Sequence, residues 1–343
     1  MKKRWLQLLL GGALSITVLT ACGSGNDEDA SNEGEEEAAE GDTEEPVVVG
    51  ATQIVEHPSL DEAYAGFKEA LEDEGYTEGE NIEYDYQNAQ NDQNNTVTIA
   101  NNFIADDVDL IFANSTPSAQ AALQASTDTP IVFTSVTDAV EAGLIEELET
   151  PSELVTGVMD LHPEGIQKTV EFIADYFPEA NVGMIYNSGE QNSVSQIEEV
   201  EAAMEGTDLE MTTRSVSSSA EVQQAAESLV GEVDAMYIVT DNTVVSALET
   251  VVGIAETQGI PLFAGEADSL ERGAFAAYGI DYRAIGYRAG EMAADILSGE
   301  QTPSDIPAEY PENINLIINK EAAEAQGIEI HEDWEESAEF INE

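Results

Sequence analysis

The sequence predicts an α/β protein of two related lobes, each with an open parallel sheet and helices on both faces. Three observations lead there. Short β-branched runs alternate with stretches of helical spacing from residue 47 to about residue 330. Two parts of that alternation repeat: "VDLIFANSTPSAQAAL" (108–123) lies without a gap over "VDAMYIVTDNTVVSAL" (233–248), and "PIVFTSVTD" (130–138) over "PLFAGEADS" (261–269). The span of roughly 285 residues also has a normal apolar share, enough for two domains of ordinary size. Any two βα units look somewhat alike, but the combined matches favour related lobes.

In chain order, Val47 to Ile54 is an apolar β-branched strand. Ser59-Leu60-Asp61-Glu62 has capping-box spacing and opens a helix to about Glu74. Asn81 to Tyr86 is a strand, Asn94 to Ala105 a helix and Asp109 to Ala113 a strand. Thr116-Pro117 supplies an N-cap followed by proline at the first helical position. Pro130 to Thr134 is a further strand, "TGVMD" (156–160) ends another, and His162-Pro163 restarts a helix. The alternation then resumes with strands Val182–Tyr186, Leu209–Val216, Ala235–Val239 and Pro261–Ala264, separated by helices Ser193–Glu205, Ser219–Leu229 and Asn242–Gln258. Tyr282 to Leu297 is a helix and Asn315 to Ile318 a last strand.

The residues before this region suggest export. Met1-Lys2-Lys3-Arg4 is cationic, and Trp5 to Leu19 is an apolar run of 15 residues. About 20 are needed to span a bilayer, so the run suits a signal peptide. Leu19-Thr20-Ala21-Cys22 resembles the lipobox of bacterial lipoproteins, which implies a diacylglyceryl group on Cys22, the chain's one cysteine. An ordinary secretory signal with a stray cysteine is the alternative. Gly23 to Pro46 holds 11 Asp or Glu and no Lys or Arg. Such a segment buries too little to fold, and its like charges extend it into a tether. Residues 1–21 are therefore expected as signal, and 22–46 as lipidated cysteine and disordered tether.

Beyond the signal the cations are Lys68, Lys168, Arg214, Arg272, Arg283, Arg288 and Lys320, against 71 Asp and Glu. Phosphate backbones need cations, so nucleic acid is excluded as a partner. The acidity suits a solvated surface in a salty or alkaline habitat, where screening suppresses self-repulsion. No D-x-D-x-D-G loop or other metal motif is present, and no cofactor is expected. His57, His162 and His331 are far apart, with no HExxH, no G-x-S-x-G and no G-x-x-x-x-G-K-[ST], so neither an enzyme nor an ATPase is expected.

The segments "GATQIVEHPSLDEAYAGFKEALEDEGY", "IVFTSVTDAVEAGLI", "YNSGEQNSVSQIEEV", "YIVTDNTVVSAL", "PLFAGEADSLERGAFAAYGIDYRAIGYRAGEMAADILSG" and "LIINKEAAEAQGI" resemble the ABC-transporter substrate-binding proteins of the tryptophan/tyrosine type. The resemblance covers about 47 to 330. It implies the type I periplasmic-binding fold: two Rossmann-like lobes, joined by three crossings, that close on a small molecule. It also implies delivery of the ligand to a membrane permease driven by a separate ATPase; a monomer, anchored at the extracytoplasmic face of the cell membrane through Cys22, is expected. On this reading 47–158 with about 276–300 form the N-lobe, and 159–275 with about 301–330 the C-lobe. Residues 331–343 remain as an acidic tail. The crossings are expected near Val158 to Leu161, near Gly273 to Gly279 and near residues 300 to 308.

In open α/β sheets ligands bind outside the carboxyl ends of the strands. The candidates there are Thr52, Gln53, Ser115, Thr116 and Ser135 in the N-lobe, and Asn187, Asn192, Asp241, Asn242, Glu266 and Asp268 in the C-lobe. Hydroxyls and free N–H groups at Ser115 and Thr116 suit a carboxylate, and Asp241 at the matching corner suits an ammonium. Together they would hold the two ends of an amino acid. Thr116 and Asp241 could instead be plain helix caps, and Glu266 and Asp268 hinge or surface acids. Tyr278 and Phe133 could stack on an aromatic ligand, although aromatics are more often core, and His57 is more simply a loop residue. No cation falls at a lip position except Arg272 and Arg283 near the hinge, which weakens phosphate, sulfate and dicarboxylates as ligands. A zwitterion or neutral polar molecule remains, with a sugar or nucleoside as the alternative, and with ligand presentation to a membrane sensor as the alternative to transport.

Overall fold

The computed structural model describes residues 45–342. The expected signal, Cys22 and nearly all of the tether lie outside them. The first lobe holds a five-stranded, wholly parallel sheet in the order β2-β1-β3-β4-β5. Its strands are β1 (Val47–Gln53), β2 (Ile82–Asn88), β3 (Leu110–Asn114), β4 (Ile131–Val136) and β5 (Val155–Met159). β3, β4 and β5 are buried at every position, as expected for strands covered on both faces. The helices α1 (Pro58–Asp73), α2 (Gln93–Ala105) and α3 (Thr116–Ala125) connect them.

The second sheet runs β7-β6-β8-β9-β10-β11-β12, from β6 (Asn181–Asn187), β7 (Glu210–Val216), β8 (Ala235–Ile238), β9 (Leu262–Ala264), β10 (Ala276–Gly279), β11 (Asn315–Asn319) and β12 (Ala338–Ile341). Its first five strands repeat the order of the first sheet, so the repeat seen in the sequence is a repeat of topology. β10 and β11 are antiparallel and the remaining pairs parallel. The helices of this half are α4 (Gly165–Tyr176), α5 (Gln191–Met204), α6 (Val222–Leu229), α7 (Asn242–Val245), α8 (Leu248–Gln258), α9 (Asp268–Glu271) and α11 (Lys320–Ala325). The expected helix Asn242–Gln258 is thus two helices, broken at Ser246-Ala247.

The remaining helix, α10 (Tyr282–Leu297), returns to the first lobe and lies along α1. Small residues allow it. A Cβ on Gly286 would collide with the carbonyl oxygen of Ala63, and one on Gly66 with that of Arg283. The two backbones touch, so the seam tolerates no side chain at either glycine.

Three boundaries differ from the sequence expectation. The sequence pattern assigns residues 276–279 to the first lobe, but β10 is a strand of the second sheet, so the second crossing falls at residues 280–281. Residues 301–309 were placed in the second lobe. Ile306 instead packs with Val158 and Ile285 in the first-lobe core, and the Glu309 amide donates to the Gly157 carbonyl (3.0 Å). The third crossing is therefore 310–314. The acidic tail is also folded to residue 341. Trp334 is buried against Phe172 and Phe275, and β12 pairs with β11. Burial of one indole and a short apolar strand outweighs the acids, which stay at the surface.

Candidate functional site

The carboxyl ends of β1, β3 and β4 make the first lobe's corner. Its backbone is strained. Ser115 and Ser135 have φ of 121° and 58°, a region that side chains disfavour and that is held only when neighbours enforce it. Ser115 is the N-cap of α3, one residue before the expected Thr116; its Oγ accepts from the Ser118 amide (3.3 Å). Ser135 Oγ donates to Asn114 Oδ1 (2.7 Å), and Asn114 Nδ2 donates to Gln53 Oε1 (3.0 Å) and the Leu60 carbonyl (2.7 Å). Gln53 in turn donates to Asp61 (2.8 Å). Gln53, Ser115 and Ser135 are therefore engaged with the protein itself. The hydroxyls of Thr52, Thr116 and Thr134 are buried and have no partner within the chain. α1 starts at Pro58 rather than at a capping box, because Ser59 Oγ donates elsewhere, to Glu266.

The second lobe's corner is self-contained. Asp241 is fully buried and caps α7: Oδ1 accepts from the Val244 amide (2.7 Å) and Oδ2 from the Asn187 amide (2.5 Å). Burial and the neighbouring Glu190 carboxylate push its pKa up. Glu190 is the hub. It accepts from the Asn242 amide and Nδ2, the Thr243 amide and Oγ1, and Asn187 Nδ2, at 2.6–3.3 Å. Asn187, Asp241 and Asn242 are thus brought together, but by one another and by Glu190. The expectation that Asp241 offers a free carboxylate is corrected: both its oxygens are already filled. Asn192 donates to the Thr240 carbonyl (3.0 Å), while its Oδ1 is buried without a partner.

Hydrogen bonds bridge the lobes. Ser59 Oγ donates to Glu266 Oε2 (2.9 Å), Asn91 Nδ2 to Thr243 Oγ1 (2.9 Å), Gln93 Nε2 to the Gly189 carbonyl (2.8 Å) and Gln196 Nε2 to Thr137 Oγ1 (3.2 Å), and Ser195 meets Glu141. The cleft is closed. His57 sits in it beside Asn242; burial, then the positive charge of Arg272, lowers its pKa to about 3, so it is neutral. Arg272 itself forks onto Glu249 (2.8 and 2.9 Å).

At the hinge Asp160 follows β5. Its Oδ2 accepts from the Tyr282 hydroxyl (2.8 Å), and its Oδ1 is buried without a partner. Glu266 is filled by Ser59, the Ser269 amide and the Ser269 hydroxyl. Burial, with Glu266 nearby, raises both Asp160 and Asp268 to about 6. Tyr278 is half-buried and shares with Asp160, Gln196 and Gly265 a void of about 10 Å³. Phe133 lies in the first-lobe core. A cavity of about 560 Å³ also sits at the hinge, between α10 and the third crossing, away from the corners.

Asn114, Thr134, Asp160, Glu190, Gln196 and Thr243 escaped the sequence reading. Glu190 had a signal, as the lone acid of the loop "YNSGEQNS". Asp160 had one too, as the acid that ends an apolar strand where a crossing begins.

Residues 48–340 match the family described as ABC transporter substrate binding protein. The chain is 43% identical over 324 residues to a tyrosine-binding protein of Clostridioides difficile, covering 94% of this chain and 92% of that one. Among solved structures it resembles the complex of an ABC domain from Streptococcus pneumonia with L-Trp (TM-score 0.81, 32% identity, 86% of this chain and all of that one). It also resembles the ligand-free, open structure of a substrate-binding protein with adhesive properties from Clostridium difficile (TM-score 0.64, 40% identity, 86% and 99%). The better overlay is on the less identical chain, as expected if lobe angle, not sequence, sets the score and this chain is closed. The chain is a solute-binding protein and not an enzyme: with its two lobes, three crossings and type I periplasmic-binding fold, it belongs to the family of ABC transporter substrate-binding proteins.

Proposed function

We propose that the chain captures an aromatic α-amino acid between its lobes and hands it to a membrane permease. One observation carries the reading. Partnerless buried atoms of complementary character occur in the closed two-lobed fold: the hydroxyls of Thr52, Thr116 and Thr134, the Asp160 carboxylate at the hinge and the Asn192 carbonyl. Burying such groups unpaired costs free energy that a ligand bearing both an acid and an amine recovers. Thr116, in the first turn of α3, and Thr52 are the donors for the carboxylate, helped by the helix N-terminus. The relatives' tyrosine and L-Trp support the choice of an aromatic side chain. Calorimetric titration with tyrosine, tryptophan, phenylalanine and leucine, alongside sugars and nucleosides, tests it. Binding of an aromatic amino acid is expected; binding of a sugar or nucleoside alone overturns the reading.

Delivery to a permease requires a position outside the cytoplasm. The Leu19–Cys22 sequence supports a lipid anchor on Cys22, with residues 23–46 as spacer. Expressed with its leader in a bacterial host, the wild type is expected in the membrane fraction, and Cys22→Ala is expected to leave it or stay unprocessed. A wild-type protein with a free Cys22 thiol would count against anchoring and leave ligand capture untouched.

A further inference from the structure

We infer that Asp160 is the residue that binds the ligand's ammonium group, so that the hinge, not the second lobe's corner, grips that end of the amino acid. The inference rests on the amino-acid reading above and names the residue that the reading leaves open.

The buried acids around the cleft are distinguished by what already fills them. Asp241 has one amide on each oxygen. Glu190 accepts five hydrogen bonds, and Glu266 three. Asp160 is 7% exposed, and its Oδ2 takes the Tyr282 hydroxyl while Oδ1 takes nothing. An ionised carboxylate is only an acceptor, so Oδ1 needs a donor from outside the chain.

The charges around Asp160 point to the same ligand. The Glu266 carboxylate acts on both Asp160 and Asp268. All three acids bear on the Tyr282 hydroxyl. They come from different segments: the first crossing, the loop after β9, and α9. A cationic donor that enters this place gains from every one of these carboxylates, whereas an anion is repelled by them. Asp160 lines a void together with the second-lobe residues Gln196, Gly265 and Tyr278, on the side where the lobes meet. An ammonium group is about the size of the single water such a void admits.

The place has a mechanical meaning. Asp160 stands on the first crossing and Tyr282 directly after the second, and their hydrogen bond ties the two together. A cation on Oδ1 therefore bears on the hinge strands themselves.

The test compares tyrosine and tryptophan with 3-(4-hydroxyphenyl)propionate and indole-3-propionate, which keep ring and carboxylate and lack the amine. Titrations are run on the wild type, Asp160→Asn and Asp241→Asn, with thermal unfolding as the check on folding. The wild type is expected to prefer the amino acid by about 30-fold or more, the usual effect of a buried charge pair. In Asp160→Asn that preference is expected to shrink to a few-fold, with the affinity for the amine-free analogue little changed. Asp241→Asn is expected to keep it. The inference is overturned if Asp160→Asn keeps the full preference, or if Asp241→Asn alone loses it. It is overturned equally by a wild type that binds amino acid and amine-free analogue alike, a result that needs no variant to fold. Failure of the wild type to bind any amino acid is a different outcome, and overturns the functional reading instead.

Discussion

The two corners of the cleft occupy equivalent places in the repeated topology, yet they are finished differently. In the first lobe Ser115 and Ser135 hold strained backbone, and three threonine hydroxyls are left without partners. In the second lobe Glu190 gathers the donors of Asn187, Asn242 and Thr243, and Asp241 is saturated. One corner is built to be completed by something else, the other to be rigid on its own. Symmetric architecture therefore does not imply that the two lobes divide a ligand evenly. The first lobe and the hinge supply most of the open groups, while the second lobe, apart from Asn192 Oδ1, presents a wall whose polar groups satisfy one another.

Removal of the second corner's hub should show the difference most strongly. Glu190→Ala leaves buried donors at Asn242 and Thr243 unpaired, while Asn187 Nδ2 keeps the Thr243 hydroxyl, and the loss is partly offset by relief of the repulsion on Asp241. A net stability loss of about 3 kcal/mol is expected in urea titration. An unchanged midpoint with lost ligand affinity would invert the comparison, making this corner the recognising one. The hinge acids should respond to pH in the opposite sense from ordinary carboxylates. Asp160 faces Tyr282 and Glu266, and Asp268 faces Glu266, Glu62 and Glu271. With folded values near 6, above the ordinary carboxylate value of 3.8, the native chain holds more protons than the unfolded one between those limits. Stability without ligand should therefore rise as pH falls from about 7 to about 5, by about 1 kcal/mol for Asp160. Asp160→Asn should flatten that rise; an equal slope in both proteins would remove Asp160 from the account. The smallest effect is expected at Thr116→Val, which deletes a partnerless hydroxyl and keeps the shape. Stability should hold, while ligand affinity falls by about 1 kcal/mol, or roughly five-fold, in calorimetry.

The fold was legible because each βα unit carries its own period and punctuation, and because "VDLIFANSTP" and "VDAMYIVTDN" fix the matching corners. What the sequence hid were contacts between distant segments. Ser59 has capping-box spacing, but its hydroxyl goes to Glu266, 207 residues away. Asp241 and Asp160 are both acids at strand ends, and nothing local says that one is filled and the other open. That depends on Asn187 and Tyr282, which arrive from elsewhere in the chain. The terminal segment was obscured by its acids, although "AEFI" alternates as a strand should and Trp334 is too large to leave in water without cause.

The seam between α1 and α10 has a consequence for the order of events in folding. Residues 63–66 and 283–286 must be in backbone contact before the first lobe is whole, and the entire second-lobe βα repeat lies between them in the chain. The second sheet in turn waits for β11 and β12 at the far end. Neither lobe can be finished by a growing chain before its last sixty residues or so are available, and contacts so distant in sequence form slowly. A chain stopped after residue 281 should lack a cooperative unfolding transition even for the first lobe. The complete chain should refold in one late step in which both lobes gain protection against hydrogen exchange together.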